Sequence, residues 1–597
     1  MRKNSMLILF TTLLILGCKN ETKEDVKPDV SAVFQSVLKN YYEEGLLLNP
    51  VQATMAGDNR FNDQFPNTLT DTYIDSLKNY YTKYKQEVAQ FSDADLSETE
   101  QMSKAVLAWE CDINTEYLSF NNNKFFPIDQ MWSINLFFGQ LASGQSAQPF
   151  KNIEDYNNWL KRTDGFVVWL STAEERMKEG MAAGYVLPKS LIVKVIPQLE
   201  AMTNPDVEQH LFYAPIKNIP EDFSAEDKEA LTKAYTAMIS EKIIPTYQSL
   251  LDFMKTDYLE AGRLTSGIAE TPNGKAYYEH QIKKYTTTDM SAEEIHELGL
   301  SEVARILSEM EKVKEQVGYK GEIKSFFDYV RNKKELMPFT DAQQIIDNFN
   351  AIHERMKPQL EKLFDKTPKT AFEVRQTEAF RENSASAEYN QGSLDGTRPG
   401  IFYTPIPDAS KYNIYSDESL FLHEAIPGHH YQISLTQESK DLSDFRKVLW
   451  YSGYGEGWAL YTESLGKELG LYTDPYQYFG MLGAEMHRAI RLVVDTGLHA
   501  KGWTREQAIQ YSLDNEAESE EGIIAEIERY MANPGQALAY KIGQLKIREL
   551  RGKAEKELGE AFDIREFHNQ VLETGCIPLS LLETKIDNWI NTSKTVQ

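Results

Sequence analysis

Behind Ser291-Ala292-Glu293-Glu294, apolar residues recur at three- and four-residue steps: Ile295, Leu298, Val303, Ile306, Leu307, Met310, Val313 and Val317. Ser-x-x-Glu is a capping box, which satisfies two orphan N–H groups at a helix start, and the steps that follow trace one helix face. His296 falls on the opposite face and is expected in solvent. The same period runs through most of the 597 residues. Strand-like text is scarce, the best case being "PGIFYTP" at 399–405. With no internal repeat, low-complexity block or sharp linker, the expected fold class is mainly α, a large helical body with one small β-sheet.

The first residues read MRKNSMLILFTTLLILGCKNETKED. Arg2 and Lys3 precede an apolar run, Met6 to Leu16, that is shorter than the ~20 residues a membrane-crossing helix needs but suits a signal peptide. Ile15-Leu16-Gly17-Cys18 resembles the lipobox of bacterial lipoproteins, which implies cleavage before Cys18 and acylation of its thiol. The expected organisation is a signal peptide over 1–17, a tether over 18–28, a helical N-terminal part over 29–285 and a catalytic part over 286–597. The mature chain would be held by lipid at a membrane of the cell envelope, facing the periplasm or the cell surface. The alternative is an ordinary secretory signal with an incidental cysteine. Cys111 and Cys576 have no metal-ligand spacing around them and read as packing residues.

A formal net charge of -27 excludes a basic stripe that could displace counterions from phosphates, so no nucleic-acid partner is expected. Chemistry concentrates in the second half, where five of the ten histidines fall between 423 and 499. The stretch "FLHEAIPGHHYQ" (421–432) looks like a zinc-protease helix that has been interrupted. In His-Glu-x-x-His the two histidines leave one helix face and grip one metal; here the fourth position after His423 is Pro427. On an unbroken helix position i+6 lies about 240° around from His423, and i+7 about 10.5 Å along the axis, so neither fits. Pro427 removes a backbone donor and Gly428 tolerates unusual dihedrals, so a bulged or broken turn is expected. Looping out two residues puts His429 in the second ligand's place and leaves His430 to contact substrate or support the site; the reverse assignment needs a longer reach.

A third ligand is expected from "GYGEGWALYTESLGKELG", where Glu456 is followed seven residues later, on about the same face, by Glu463. His423, His429 and Glu456 with one open position make a hydrolytic zinc arrangement, and Glu424, next to a ligand, is placed as the general base. Arg488, Arg491 and Asp495 lie at helical spacing. They predict either a surface ion pair between Arg491 and Asp495, worth about 0.3–0.5 kcal/mol, or buried arginines that orient the ligand carboxylates. The segment "SASAEYNQGSLDGTRPGIFY" can lay an edge strand beside the metal, with Arg398 the nearest candidate to pair a substrate carboxylate.

The chain resembles the bacterial lipoprotein family catalogued as domain of unknown function 885, related to the gluzincin metallopeptidases. The resemblance is carried by "LDGTRPGIFY" (394–403), "HEAIPGHHYQ" (423–432), "EGWALYTE" (456–463), "HRAIRLVVDTGLHAKGWT" (487–504), "RYMANPGQALAYKIGQ" (529–544) and "FHNQVLETGCIPLSLL" (567–582). It implies a gluzincin-like helical fold with the sheet beside the active-site helix, and it makes the inserted Pro-Gly part of a remodelled site. The insertion is similar to the lengthened His-Glu-x-x-Gly-His motif of dipeptidyl-peptidase III enzymes. In thimet oligopeptidase and angiotensin-converting enzyme a tyrosine or histidine downstream of the third ligand stabilises the oxyanion; carried over, this implies Tyr540, with Tyr530 and His499 as competitors. The function expected is a Zn2+-dependent hydrolase acting on peptides. The alternatives are a binding lipoprotein that captures a peptide or glycan without turnover, and a zinc hydrolase of another amide or ester.

Overall fold

Aromatic residues at helical spacing build the first of the molecule's two large cores. A computed structural model describes residues 29–595 except 379–381, 383–384, 394–395 and 397; Cys18 and the segments expected as signal peptide and tether lie outside the described residues. Helix α1 (Ile153–Ala182) opens on a capping box between Asn152 and Asp155 and buries Trp159, Phe166, Trp169 and Met177. Phe138 stacks between Phe166 and Trp159, with ring centroids 4.0 and 4.6 Å away. Arg162, 0 % exposed, donates to the carbonyls of Pro50, Phe61 and Gln64. A buried guanidinium is tolerable when all its donors find acceptors, so here it pins the preceding loops to the helix.

The second core joins Phe34, Leu38, Tyr84, Val106 and Cys111 to residues between Val303 and Ile590. Helix α2 (Ala292–Gln316) carries the expected capping box and buries Ile295, Val303, Ile306, Met310 and Val313. His296 corrects the reading from spacing: it is 5 % exposed and its Nδ1 lies 2.8 Å from the Thr496 hydroxyl. The cause is the breadth of the helix contact. Gly299 brings α2 so close to a later helix that a Cβ there would meet Leu492 at 2.7 Å, and the flank carrying His296 is buried with the apolar stripe.

The sheet has three strands in the order β1-β3-β2. Strand β1 (Phe372–Gln376) runs parallel to β3 (Gly400–Thr404), while β2 (Glu388–Asn390) lies antiparallel at the other edge with Tyr389 opposite Phe402. "PGIFYTP" is thus the central strand, and the edge strand comes from the segment ahead of it. Helices α3 (Asp417–Glu424) and α4 (His429–Glu438) follow, then α5 (Ser452–Glu463), α6 (Pro475–Ala500), α7 (Glu520–Ala532) and α8 (Ala539–Leu558). The sheet sits against the start of α4, where the Phe372 and His430 rings are 4.9 Å apart. Cys111 and Cys576 are buried and unbridged, as packing residues are. Among the described residues no helix is long and apolar enough to cross a membrane.

Helices α5 and α8 cross through glycines. A Cβ on Gly457 would lie 2.5 Å from Gly543 Cα, and one on Gly543 would lie 1.8 Å from the Gly453 carbonyl. No side chain fits there without separating the helices. Gly543→Ala is therefore expected to destabilise the fold by about 1–3 kcal/mol or more and, because α5 carries Glu456, to weaken metal binding. Thermal melts with and without added zinc check this; an unchanged melting curve would contradict the close crossing.

Candidate metal centre

The interruption in "HEAIPGHH" is a break between two helices. Helix α3 ends at Glu424, Ala425 and Gly428 take non-helical dihedrals, and α4 begins at His429. A Cβ on Gly428 would come within 1.9 Å of the His423 carbonyl, so this return of the chain requires glycine. Neighbours hold it in place: Trp458 Nε1 donates to the Pro427 carbonyl at 2.9 Å, and the Thr462 hydroxyl to the Leu422 carbonyl at 2.8 Å. The helix carrying Glu456 thus fixes the break between the two histidines.

The result brings His423, His429 and Glu456 together, with one ligand atom from each lying within 4.8 Å of the others. The two imidazole rings are perpendicular, centroids 4.9 Å apart, and both Nε2 atoms face Glu456 Oε2, at 3.6 and 3.4 Å. Donors placed at about 2.0–2.2 Å around a tetrahedral zinc stand about 3.3–3.6 Å from one another. These side chains therefore fit a zinc ion in donor chemistry and in spacing.

Glu463 and Ser419 support the group. Glu463 Oε1 lies 2.7 Å from His423 Nδ1, and Ser419 donates to Oε2 at 2.6 Å. Fixing the proton on Nδ1 leaves Nε2 free to face a metal. Sequence spacing put Glu463 on the face of Glu456 without giving it this role; the signal was the heptad separation itself. Burial tends to lower the His423 pKa, but Glu456 and Glu463 outweigh it and raise it to about 9. For Glu456, burial is overcome by His429 and His423, which hold its carboxyl far below the ordinary value. Protons and a divalent cation compete for these same atoms.

Glu424 is 9 % exposed, and burial raises its carboxyl above the usual range against the pull of His423 and His429. A carboxylate poised upward is suited to accept a proton near neutral pH. His430 turns away from the group. It is 2 % exposed, with Nδ1 3.0 Å from the Tyr389 hydroxyl, and burial followed by the charge of His353 lowers its pKa to about 4. Arg398 is exposed in the loop before β3, where its N–H donates to Ser393 Oγ at 2.9 Å.

Of the three oxyanion candidates, two are engaged elsewhere. Tyr530 donates to Glu526 at 2.5 Å and accepts from Arg491 Nε at 3.0 Å. His499 is 0 % exposed, and both its ring nitrogens meet backbone, Ile268 N–H and the Tyr530 carbonyl, each at 3.0 Å. Tyr540 lies under the Arg491 guanidinium, 4.7 Å from its ring centroid, and its pKa is raised by burial and then by the charge of Glu456.

Of the two arrangements predicted for Arg488, Arg491 and Asp495, the Arg491–Asp495 surface pair does not form. Arg491 turns to Glu526 at 3.0 Å, while Asp495, 0 % exposed, accepts from Tyr278 Oη at 2.6 Å and from Gly535 N–H at 3.1 Å. Helix α6 is enclosed on all sides here, so spacing alone could not say which neighbour each charge would meet. Burial pushes Asp495 up to about 7, against about 3.9 in an unfolded chain. A raised native pKa means the contribution to stability is complete below about pH 4 and is lost as pH rises through about 7. Asp495→Asn should therefore flatten the fall in melting temperature between pH 5 and 8, an effect of a few kcal/mol. Parallel melting profiles for variant and wild type would contradict it.

Residues 50–586 match the family profile described as bacterial protein of unknown function (DUF885). The chain belongs to this family. No curated protein matches it. Among solved structures, a candidate lipoprotein from Colwellia psychrerythraea superposes with a TM-score of 0.85 at 28 % identity, covering 94 % of this chain and 99 % of that one. A candidate lipoprotein of unknown function from Shewanella oneidensis gives 0.74 at 18 % identity over 92 % and 99 %, a likeness of fold. Pz peptidase A reaches 0.28 at 12 % identity over 89 % of this chain and 99 % of that one, too low to say anything about chemistry. Within this DUF885 chain, "HEAIPGHHYQ" and "EGWALYTE" form the donor group, and "HRAIRLVVDTGLHAKGWT" and "RYMANPGQALAYKIGQ" form the wall that carries Arg491 and Tyr540.

Proposed function

We propose that this protein is a zinc-dependent peptidase of the cell envelope. The observation that carries the reading is the convergence of His423, His429 and Glu456 on one point with Glu424 beside it. His423, His429 and Glu456 would hold the zinc ion, which would supply Lewis acidity toward a carbonyl and toward water. Glu424 accepts the proton of the attacking water and hands it to the leaving amine. Tyr540 donates its hydroxyl proton to the oxygen that becomes negative, and Arg491, stacked on the ring, holds it there. A pure metal or ligand binder needs no base beside a ligand, so Glu424 favours turnover over capture. The test is a broad peptide library incubated with zinc-loaded protein and read by mass spectrometry. Discrete cleavage products are expected; ligand retained uncut would favour a binding lipoprotein.

The lipobox-like Ile15-Leu16-Gly17-Cys18 supports a mature chain anchored through acylated Cys18, as do relatives described as candidate lipoproteins. Mass spectrometry of membrane-fraction protein should find diacyl or triacyl Cys18 as the first residue. An unmodified N-terminus at another position would rule the anchor out.

A further inference from the structure

On the helix that packs against the donor group, one cation, Arg488, forms no ion pair among the described residues. Arg488 and Arg491 stand three residues apart on α6 and so leave nearly the same face. That helix packs against α3, which carries His423 and Glu424. Arg491 is nine-tenths buried and largely committed, with Nη2 on Glu526 and Nε on Tyr530, each at 3.0 Å, yet its Nη1 is buried without a partner. For Arg488, Nη1 reaches the Ala484 carbonyl of its own helix at 3.2 Å, Nε is buried without a partner, and no carboxylate among the described residues pairs with it. Arg491 also lies over the Tyr540 ring, 4.7 Å from its centroid.

Guanidinium N–H groups withheld from water and left without acceptors are costly, which makes them strong attractors for a ligand that supplies the acceptors. Glu526 is shared between Arg491 and Arg529, each with an Nη2 3.0 Å away, and Arg488 pairs with no carboxylate among the described residues, so the pair keeps positive charge. The planar fork of a guanidinium matches a carboxylate, and every linear peptide carries one at its C-terminus. We propose that Arg488, with the free Nη1 of Arg491, binds the C-terminal carboxylate of the substrate, so that the enzyme trims peptides from that end. This rests on the peptidase reading above. The Arg491 guanidinium stands 4.7 Å from the Tyr540 ring. An extended residue spans at most about 3.3–3.6 Å, so the carboxylate lies roughly one to three residues beyond the bond that is cut.

The test compares one short peptide as its free acid, as its C-terminal amide and extended at the C-terminus by several residues. With zinc-loaded wild type the acid should be cut at least about tenfold faster than the amide, the worth of one charge-assisted contact, and products should differ by one to three C-terminal residues. In Arg488→Met the acid-to-amide ratio should fall to about 1, mainly through KM, and Arg488→Lys should restore part of it. The same acid and amide titrated calorimetrically into Glu424→Gln, with and without Arg488→Met, read the contact without turnover. Equal cleavage of amide and internal bonds, or a preference that survives Arg488→Met, overturns the proposal while leaving the peptidase reading intact. An Arg488→Met variant that shifts only the pH profile overturns it too, assigning Arg488 to Glu424 alone. Acid-selective binding through Arg488 in a protein that cuts nothing would keep the carboxylate site and remove the hydrolytic reading.

Discussion

Glu424→Gln is expected to lower peptide cleavage by about 10² to 10⁴, the usual worth of general-base assistance, while peptide binding and metal content change little. The replacement is nearly isosteric, and His423 beside it keeps its own support: Glu463 at 2.7 Å. What is lost is an acceptor for the proton of the attacking water, because a neutral amide cannot take it. Burial raises the Glu424 carboxyl, so the rate of the wild type should fall on the acid side as this group is protonated, and the variant should lose that limb of the profile. Wild type and variant incubated with the same peptides and followed by mass spectrometry give the answer. Equal rates would remove Glu424 from the chemistry.

The second large effect is on the metal. His429→Ala should abolish stoichiometric zinc binding at neutral pH, since it removes one of three donors and leaves Glu456 facing His423 alone at 3.6 Å. His430→Ala should leave the metal in place, because His430 is buried against the sheet with its Nδ1 on Tyr389 at 3.0 Å. That variant is expected to lose only packing, about 1–3 kcal/mol. Metal analysis after dialysis compares the two. Zinc retained in His429→Ala and lost in His430→Ala would transfer the ligand to His430 and contradict the observed geometry.

The donor group was legible from short-range chemistry. Pro427 and Gly428 announced that the helix could not continue, and the two residues they displace are what bring His429 beside His423. Glu456 was singled out because two histidines on one metal call for a third donor, and the Gly-rich text around it allows the close crossing of α5 and α8. The helical class, the capping box at Ser291 and the strand at Gly400–Thr404 were local features too, set by spacing and propensity. What sequence could not supply was the environment of charges that lie far apart in the chain. His296 read as a surface residue on periodicity alone, and Asp495 did so in one of its two readings, but both end buried, against Thr496 and against Tyr278 with Gly535. Periodicity ranks the faces of a helix and does not say how many faces its neighbours cover. Glu463 shows the same limit: its heptad spacing was visible, its contact with His423 Nδ1 was not.

Crystals of the zinc-loaded protein measured on both sides of the zinc absorption edge test most directly whether His423, His429 and Glu456 hold one zinc ion. A single anomalous peak per chain is expected, about 2.0–2.2 Å from the two Nε2 atoms and the Glu456 carboxylate. No peak at that point, or a peak coordinated by His430 or by residues outside this group, would contradict it.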